Sequence, residues 1–136
     1  MWTLYDSLAS GNSYKCRLAM YQLGKPFRLV HKDILKGETR TPEFLAMNGN
    51  GHIPLLDLGG GRYLAESNAI LLFVSEGSAL VPTDAWERAQ VYQWLFFEQY
   101  SHEPNVATPR FWLHYLTKDK YDAGELARKQ ERGRYW

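Results

Sequence analysis

Apolar and polar positions change period repeatedly along the N-terminal part of the chain, and each change marks an element. Trp2 to Tyr5 is a short run of β type. In SGNSYKCRLAMYQLG the period lengthens: Tyr14, Leu18 and Tyr21 recur at i, i+4 and i+7, and Gly24 followed by Pro26 stops the helix they predict. Phe27 to Ile34 reads as a second strand, rich in apolar residues. After a loop around Gly37, Thr41 and Pro42 predict the cap and first position of a short helix that Asn48-Gly49 ends. Ile53 to Leu58 and Arg62 to Ala65 are strands joined by Gly59, Gly60 and Gly61. Ser67 then caps a helix running through Ala69, Ile70, Leu71, Leu72 and Phe73 and closing near Gly77.

The predicted order is β-α-β-α-β-β-α over residues 1–77. Two strands on either side of a helix call for a right-handed crossover and a parallel pair. The glycine hairpin adds an antiparallel pair, so the expected four-stranded sheet is mixed. Residues 78–83 read as a linker, and 84–136 as helical. There Asp84 with Glu87 makes a capping box, Thr108-Pro109 starts a further helix, and Tyr121 to Arg132 is a charged, amphipathic third. Trp86, Trp94, Phe96, Phe97, Phe111 and Trp112 are spaced so that several are expected on a shared inward face.

Composition narrows the partners. Sixteen Lys and Arg balance fifteen Asp and Glu with no basic run, so nothing asks for nucleic acid or an anionic membrane. No stretch approaches membrane-spanning length, no signal peptide is evident, and a cytoplasmic setting is expected. The single cysteine, Cys16, rules out an internal disulfide and a two-cysteine redox centre; it reads as a small buried residue.

Three stretches could carry chemistry. In SGNSYKCR, Ser10, Asn12 and Ser13 sit at the mouth of the first helix, where unpaired N–H groups and a partial positive charge favour an anion. Their side chains could stabilise a bound thiolate, or simply cap the helix. In GHIPLLDL, Pro54 removes a ladder donor at the start of a strand. A cis Ile53–Pro54 bond would leave the Ile53 backbone to pair with an extended ligand, and a trans proline at a strand's first residue is the alternative. In ESNAI, Glu66 and Ser67 begin a helix and could hold the charged end of an amino-acid-like ligand; Ser67 as a plain cap is again the alternative.

Taken in order, strand, SGNSYKCR helix, LKGETRTPEF loop, NGHIPLL and ESNAI resemble the glutathione S-transferase family, and WLFFEQYSHEP looks like the fourth-helix region of its bacterial members. The resemblance implies a thioredoxin-like glutathione-binding domain followed by part of an all-helical domain. It implies glutathione as co-substrate, no metal, and a homodimer. By motif, Glu66 and Ser67 would hold the γ-glutamyl end, Ile53 before cis Pro54 would pair with the cysteinyl part, and Lys36 would meet the glycyl carboxylate, with Thr39 and Arg40 behind it. His52 would line the site or stand as a solvated loop residue. For thiol activation the family's motifs select Ser13 first, then Ser10, then Asn12; Tyr5 sits inside the first strand and reads as core. The implied activity is conjugation of glutathione to an electrophile or reduction of a disulfide, and the alternative is a non-catalytic glutathione-binding or protein-interaction module. Family members continue through more helices than this sequence contains, so most of the electrophile pocket is expected to be missing from it.

Overall fold

The central strand sets the architecture. Trp2–Asp6 (β1) pairs in parallel with Phe27–His31 (β2) and antiparallel with Leu55–Asp57 (β3), so that Leu4 lies between Leu29 and Leu56. Tyr63–Leu64 (β4) adds to β3 antiparallel, and the mixed four-stranded sheet runs β2-β1-β3-β4. A parallel pair cannot be closed by a tight turn. The chain therefore returns from β1 to β2 through Gly11–Gln22 (α1). The β3–β4 connection is tight instead, and Gly59, Gly60 and Gly61 turn it at φ 83, 63 and 77°, where a side chain would be strained. Two more helices, Pro42–Met47 (α2) and Ser67–Ser75 (α3), complete the predicted order, and the thioredoxin-like reading holds. The structure, a computed structural model, describes residues 1–135; Trp136, the last residue of the expected helical segment, lies outside them.

Leu4, Cys16, Ala19, Met20, Leu56, Ile70 and Val74 form one core cluster, joining α1 and α3 to the middle of the sheet. Successive strand residues point to opposite faces. Tyr5 therefore turns away from that cluster, and its ring meets Phe44 of α2 edge-on at 5.8 Å. Helices thus cover both faces. The stripe that predicts α1 is not the face it buries: Tyr14, Leu18 and Tyr21 are exposed, whereas Ser13, Cys16, Ala19 and Met20 face inward. Three of those four side chains are small, which lets the helix pack closely on the sheet, and Met20 fills the remaining space.

The strands are shorter than their apolar runs. β2 stops at His31 because Asp33 turns the chain, accepting from the backbone N–H of Leu35 and Lys36. β3 begins at Leu55 because Pro54 has no N–H to give a ladder. Ser67 is not the cap of α3 either. It is the first helical residue, and Glu66 stands at the capping position with φ 69° and no side-chain hydrogen bond to the helix.

One carboxylate is withdrawn from water at the end of β1. Asp6 is 0% exposed, and Nη1 of Arg17 on α1 donates to both its oxygens. The Asp6 carbonyl also accepts from the Lys32 N–H just beyond β2.

From Pro82 onward the chain forms a second unit. Ala85–Phe97 (α4) starts at Asp84, whose carboxylate accepts from the N–H groups of Trp86 and Glu87. Glu98–Ala107 is a π-helical stretch containing Pro104, followed by Thr108–Tyr115 (α5), a 3₁₀ turn over Lys118–Lys120, and Ala123–Gly133 (α6). The wider winding was not anticipated; it contains Pro104, which lacks a donor and crowds the preceding turn. Trp112 stacks on Tyr121 at 5.7 Å with the Lys129 ammonium over its ring, and Leu126 of α6 is buried. Gly133 is needed where α6 passes the π-helical stretch, since a Cβ there would stand 2.5 Å from the Asn105 carbonyl. The aromatics expected on a face that later helices would cover are largely uncovered in this unit. Trp86, Trp94 and Phe96 are 72, 61 and 72% exposed, and only Phe97, Phe111 and Trp112 are partly covered. Among the described residues no helix is long and apolar enough to cross a membrane.

The buried ion pair yields a direct expectation. Arg17→Met leaves the Asp6 carboxylate buried without its partner and should cost about 3–5 kcal/mol, whereas Asp6→Leu combined with Arg17→Met should recover most of that loss. Urea unfolding of the parent and both variants measures this; a single variant within 1 kcal/mol of the parent would show that Asp6 reaches water or another donor.

Candidate functional site

The turn of residues 7–10 lifts the chain from β1 into α1, and Ser10 ends it as the N-cap. Its Oγ accepts from the Ser13 N–H at 3.2 Å, and its carbonyl accepts from Tyr14. The hydroxyl proton of Ser10 has no partner among the described residues. Asn12, the second helical residue, is partly exposed. Its Oδ1 accepts a hydrogen bond from the Ser67 hydroxyl at 3.3 Å. Ser13, ranked first by the sequence, is 0% exposed, and its Oγ has no hydrogen-bond partner among the described residues. It occupies the inward position of the first turn, in line with Cys16 and Met20.

The start of α3 is brought to the same place. Ser67 is buried, and besides the bond to Asn12 its carbonyl accepts from the Cys16 thiol at 3.4 Å. Cys16 is thus a buried tie between two helices. Glu66 immediately before it is exposed, in a backbone region that side chains rarely adopt. Strain of this kind costs on the order of 1–3 kcal/mol and persists only where the surroundings enforce it. The N-termini of α1 and α3, each carrying the partial positive charge of a helix start, are therefore linked through side chains.

Other candidates lie in neighbouring loops. The Ile53–Pro54 peptide is cis, and partly buried Ile53 stands just outside the ladder that begins at Leu55. His52 is exposed, while its carbonyl is held by the Asn48 side-chain amide at 2.9 Å. Lys36 is exposed after β2, with Nζ 3.5 Å from Asp33. Desolvation pushes the Asp33 carboxyl up, but the N–H donors of Lys36 and Leu35 and the Lys36 ammonium more than reverse this, and the group titrates below its ordinary value. Among the described residues no hydrogen bond or ion pair connects Lys36 or the His52 side chain to Asn12 or Ser67. Thr39 is closed off, and Arg40 donates to the Asn50 carbonyl at 2.9 Å.

Three supporting residues escaped the sequence reading. Asp6 and Arg17 anchor the first helix, and Asn48 holds the loop before Pro54. The signal for the pair was an acidic residue ending an apolar strand, followed on the next helix by an arginine; for Asn48 there was only its role in ending α2.

Comparison with known proteins agrees with this geometry. Residues 1–76 match the family model of the glutathione S-transferase N-terminal domain. The crystal structure of a possible glutathione S-transferase from Rhodopseudomonas palustris superposes with a TM-score of 0.92 at 48% identity, over 98% of this chain and 66% of that one. Ure2p in complex with glutathione superposes with a TM-score of 0.83 at 26% identity, over 98% of this chain and 58% of that one. Glutathione S-transferase F10 of Arabidopsis thaliana is 36% identical over 107 residues, 75% of this chain and 49% of its own length. The chain spans only 32 to 49% of the length of the curated relatives it matches. The motifs, the mixed sheet, the two helix starts and these likenesses agree: the chain belongs to the glutathione S-transferase family.

Proposed function

We propose that this chain binds glutathione where the N-termini of α1 and α3 meet, and that Asn12 and Ser10 stabilise its thiolate for attack on an electrophile or a disulfide. The observation that supports the reading is the Ser67–Asn12 hydrogen bond, which joins the start of α3, assigned here to the γ-glutamyl end, to the start of α1, assigned to the thiolate. The Ure2p complex supports the ligand class. In this reading Glu66 and the first N–H groups of α3 hold the γ-glutamyl end, the Ile53 backbone pairs with the cysteinyl part beside Pro54, Lys36 reaches the glycyl carboxylate, and His52 lies at the rim.

A free thiol ionises near pH 8.5. The α1 N-terminus and side-chain donors favour the anion and lower that value, and the lost proton leaves to solvent. The thiolate sulfur then bonds to the electrophilic atom of its partner as the bond from that atom to its leaving group breaks and the leaving group departs with the electron pair; with a disulfide the bond broken is S–S and the departing group is a thiolate that takes a proton from solvent. Burial changes the order of candidates. Ser13 cannot touch a ligand without rearrangement, so Asn12 and Ser10 take precedence.

Self-association belongs to the same proposal. Trp86, Trp94 and Phe96 of α4 present a large apolar surface to water, and each such ring buries roughly 150–250 Å² when covered. We propose that a second copy covers it. Sedimentation across a dilution series should show a dimer; a monomer at tens of micromolar would reject this.

The activation scheme separates neighbours in sequence. Asn12→Ala should raise the thiol pKa of bound glutathione by about one unit. Ser13→Ala should leave that titration unchanged and stabilise the fold by up to about 1 kcal/mol, because it removes a buried hydroxyl lacking a partner. Ultraviolet titration of the bound thiolate, with thermal melting, checks both; a shift for Ser13→Ala alone would reverse the assignment.

Glu66 allows a test of binding apart from stability. Glu66→Gly relieves the strain at φ 69° and should raise stability by about 1 kcal/mol. It should nonetheless weaken glutathione binding about tenfold or more by removing the carboxylate at the γ-glutamyl amine. Calorimetric titration with glutathione measures the affinity, and undiminished affinity would remove Glu66 from the site.

A further inference from the structure

The second unit holds a groove dominated by one sign of charge. Between the π-helical stretch and α6 lies a space of about 570 Å³, within the range of small-ligand sites. One wall is the wide turn around Pro104, and the other is the side of α6 that carries Arg128, Lys129 and Arg132. Against these three cations stands one carboxylate, Glu125, and it is already engaged, 3.6 Å from the Lys129 ammonium. Arg128 and Arg132 are exposed, and their side chains make no ion pair or hydrogen bond among the described residues. Like charges four residues apart on a helix repel and destabilise it. A place in the last turn, where a cation complements the helix dipole, accounts for Arg132. It does not account for Arg128, which stands in the middle of α6.

Two backbone acceptors beside the groove are occupied. The Ser101 carbonyl takes the Asn105 side-chain amide at 2.6 Å, and the Pro104 carbonyl takes the Lys129 ammonium at 3.4 Å. The same ammonium stands 5.5 Å from the centre of the Trp112 ring, so Glu125, Pro104 and Trp112 together hold it in place. On the facing wall the hydroxyls of Ser101 and Tyr100 have no partner among the described residues, and Tyr100 is 87% exposed. A surface whose carbonyls are covered and whose free groups are cations and O–H donors is complementary to an anion.

We propose that this groove binds a small polyanion, a molecule with two or more carboxylate or phosphate groups, through Arg128 and Arg132 with Lys129 as a fixed third charge. An arginine fork meets either oxyanion with two parallel hydrogen bonds. More than one charged group is required because four residues of helix rise about 6 Å, so the two guanidinium groups spring from successive turns and suit separate oxyanions. The groove lies wholly in the second unit and shares no residue with the glutathione site proposed above.

Calorimetric titration of the full chain with citrate and, separately, with inorganic pyrophosphate tests this, at an ionic strength held constant with sodium chloride. Saturable binding in the millimolar range or tighter is expected for at least one probe. A preference for citrate would assign the groove to carboxylates, and a preference for pyrophosphate to phosphates. Arg128→Gln combined with Arg132→Gln should weaken binding about tenfold or more. Lys118→Gln combined with Lys120→Gln removes the same charge from the 3₁₀ turn outside the groove and should change affinity by less than about twofold. If the double arginine variant folds poorly, Arg128→Gln alone should still weaken binding about threefold. Absence of saturable binding by either probe up to about 10 mM would overturn the proposal. Equal weakening in the two double variants would overturn it as well, because it would reduce the effect to general charge attraction.

Discussion

An unpaired carboxylate cannot remain charged in a dry interior, and the arrangement of the first domain follows from how Asp6 is neutralised. Its partner, Arg17, sits on α1, so the bond fixes where that helix crosses the end of β1. With that contact made, Cys16 and Met20 enter the core beside Leu4, and the first turn of α1 meets the first turn of α3. A buried ion pair adds little stability compared with an apolar substitute of the same volume. Its contribution lies in tying α1 to the end of β1.

The same economy of placement explains why the candidate site is polar without being loose. Ser10 gives its oxygen to the helix it caps, and Ser67 gives its proton to Asn12. Each polar atom so used removes one way for the loop to rearrange. What remains uncommitted, the Ser10 proton and the Asn12 amide, is all of donor type, and donors are what a thiolate requires. The unpartnered Ser13 hydroxyl is the exception, buried one residue behind them.

The order of elements was legible because glycine, proline and the change from period 2 to 3.6 are local signals. Thr41-Pro42, the triple glycine and Asp84 all act on the backbone within a few residues, and each does what its chemistry predicts. Which face of a helix is buried depends on a neighbour distant in sequence. That is why Tyr14, Leu18 and Tyr21 revealed a helix and yet point to solvent. Ser67 was misread as a cap for a related reason. Glu66 takes the turn itself at positive φ, a conformation its residue type disfavours and the sequence therefore does not advertise. The aromatic run of α4 shows the same limit: periodicity states that a side is apolar and does not say what covers it.

Ser10, Asn12 and Ser13 show where sequence reasoning stops and geometry takes over. Within one turn all three are plausible donors by residue type, and motif spacing places Ser13 first. A helix, however, rotates by 100° at each residue. With Cys16 and Met20 turned into the core, Ser13, three residues before Cys16, must follow them, and Asn12, one residue earlier, is carried toward the rim. In the proposed scheme the choice of donor thus follows from the packing of the far side of the helix. The buried Cys16 takes part in that packing, because its thiol donates to the Ser67 carbonyl. A larger residue at position 16 would push α1 away from α3 and separate Asn12 from Ser67, altering the chemistry at the site without touching any group that meets the ligand.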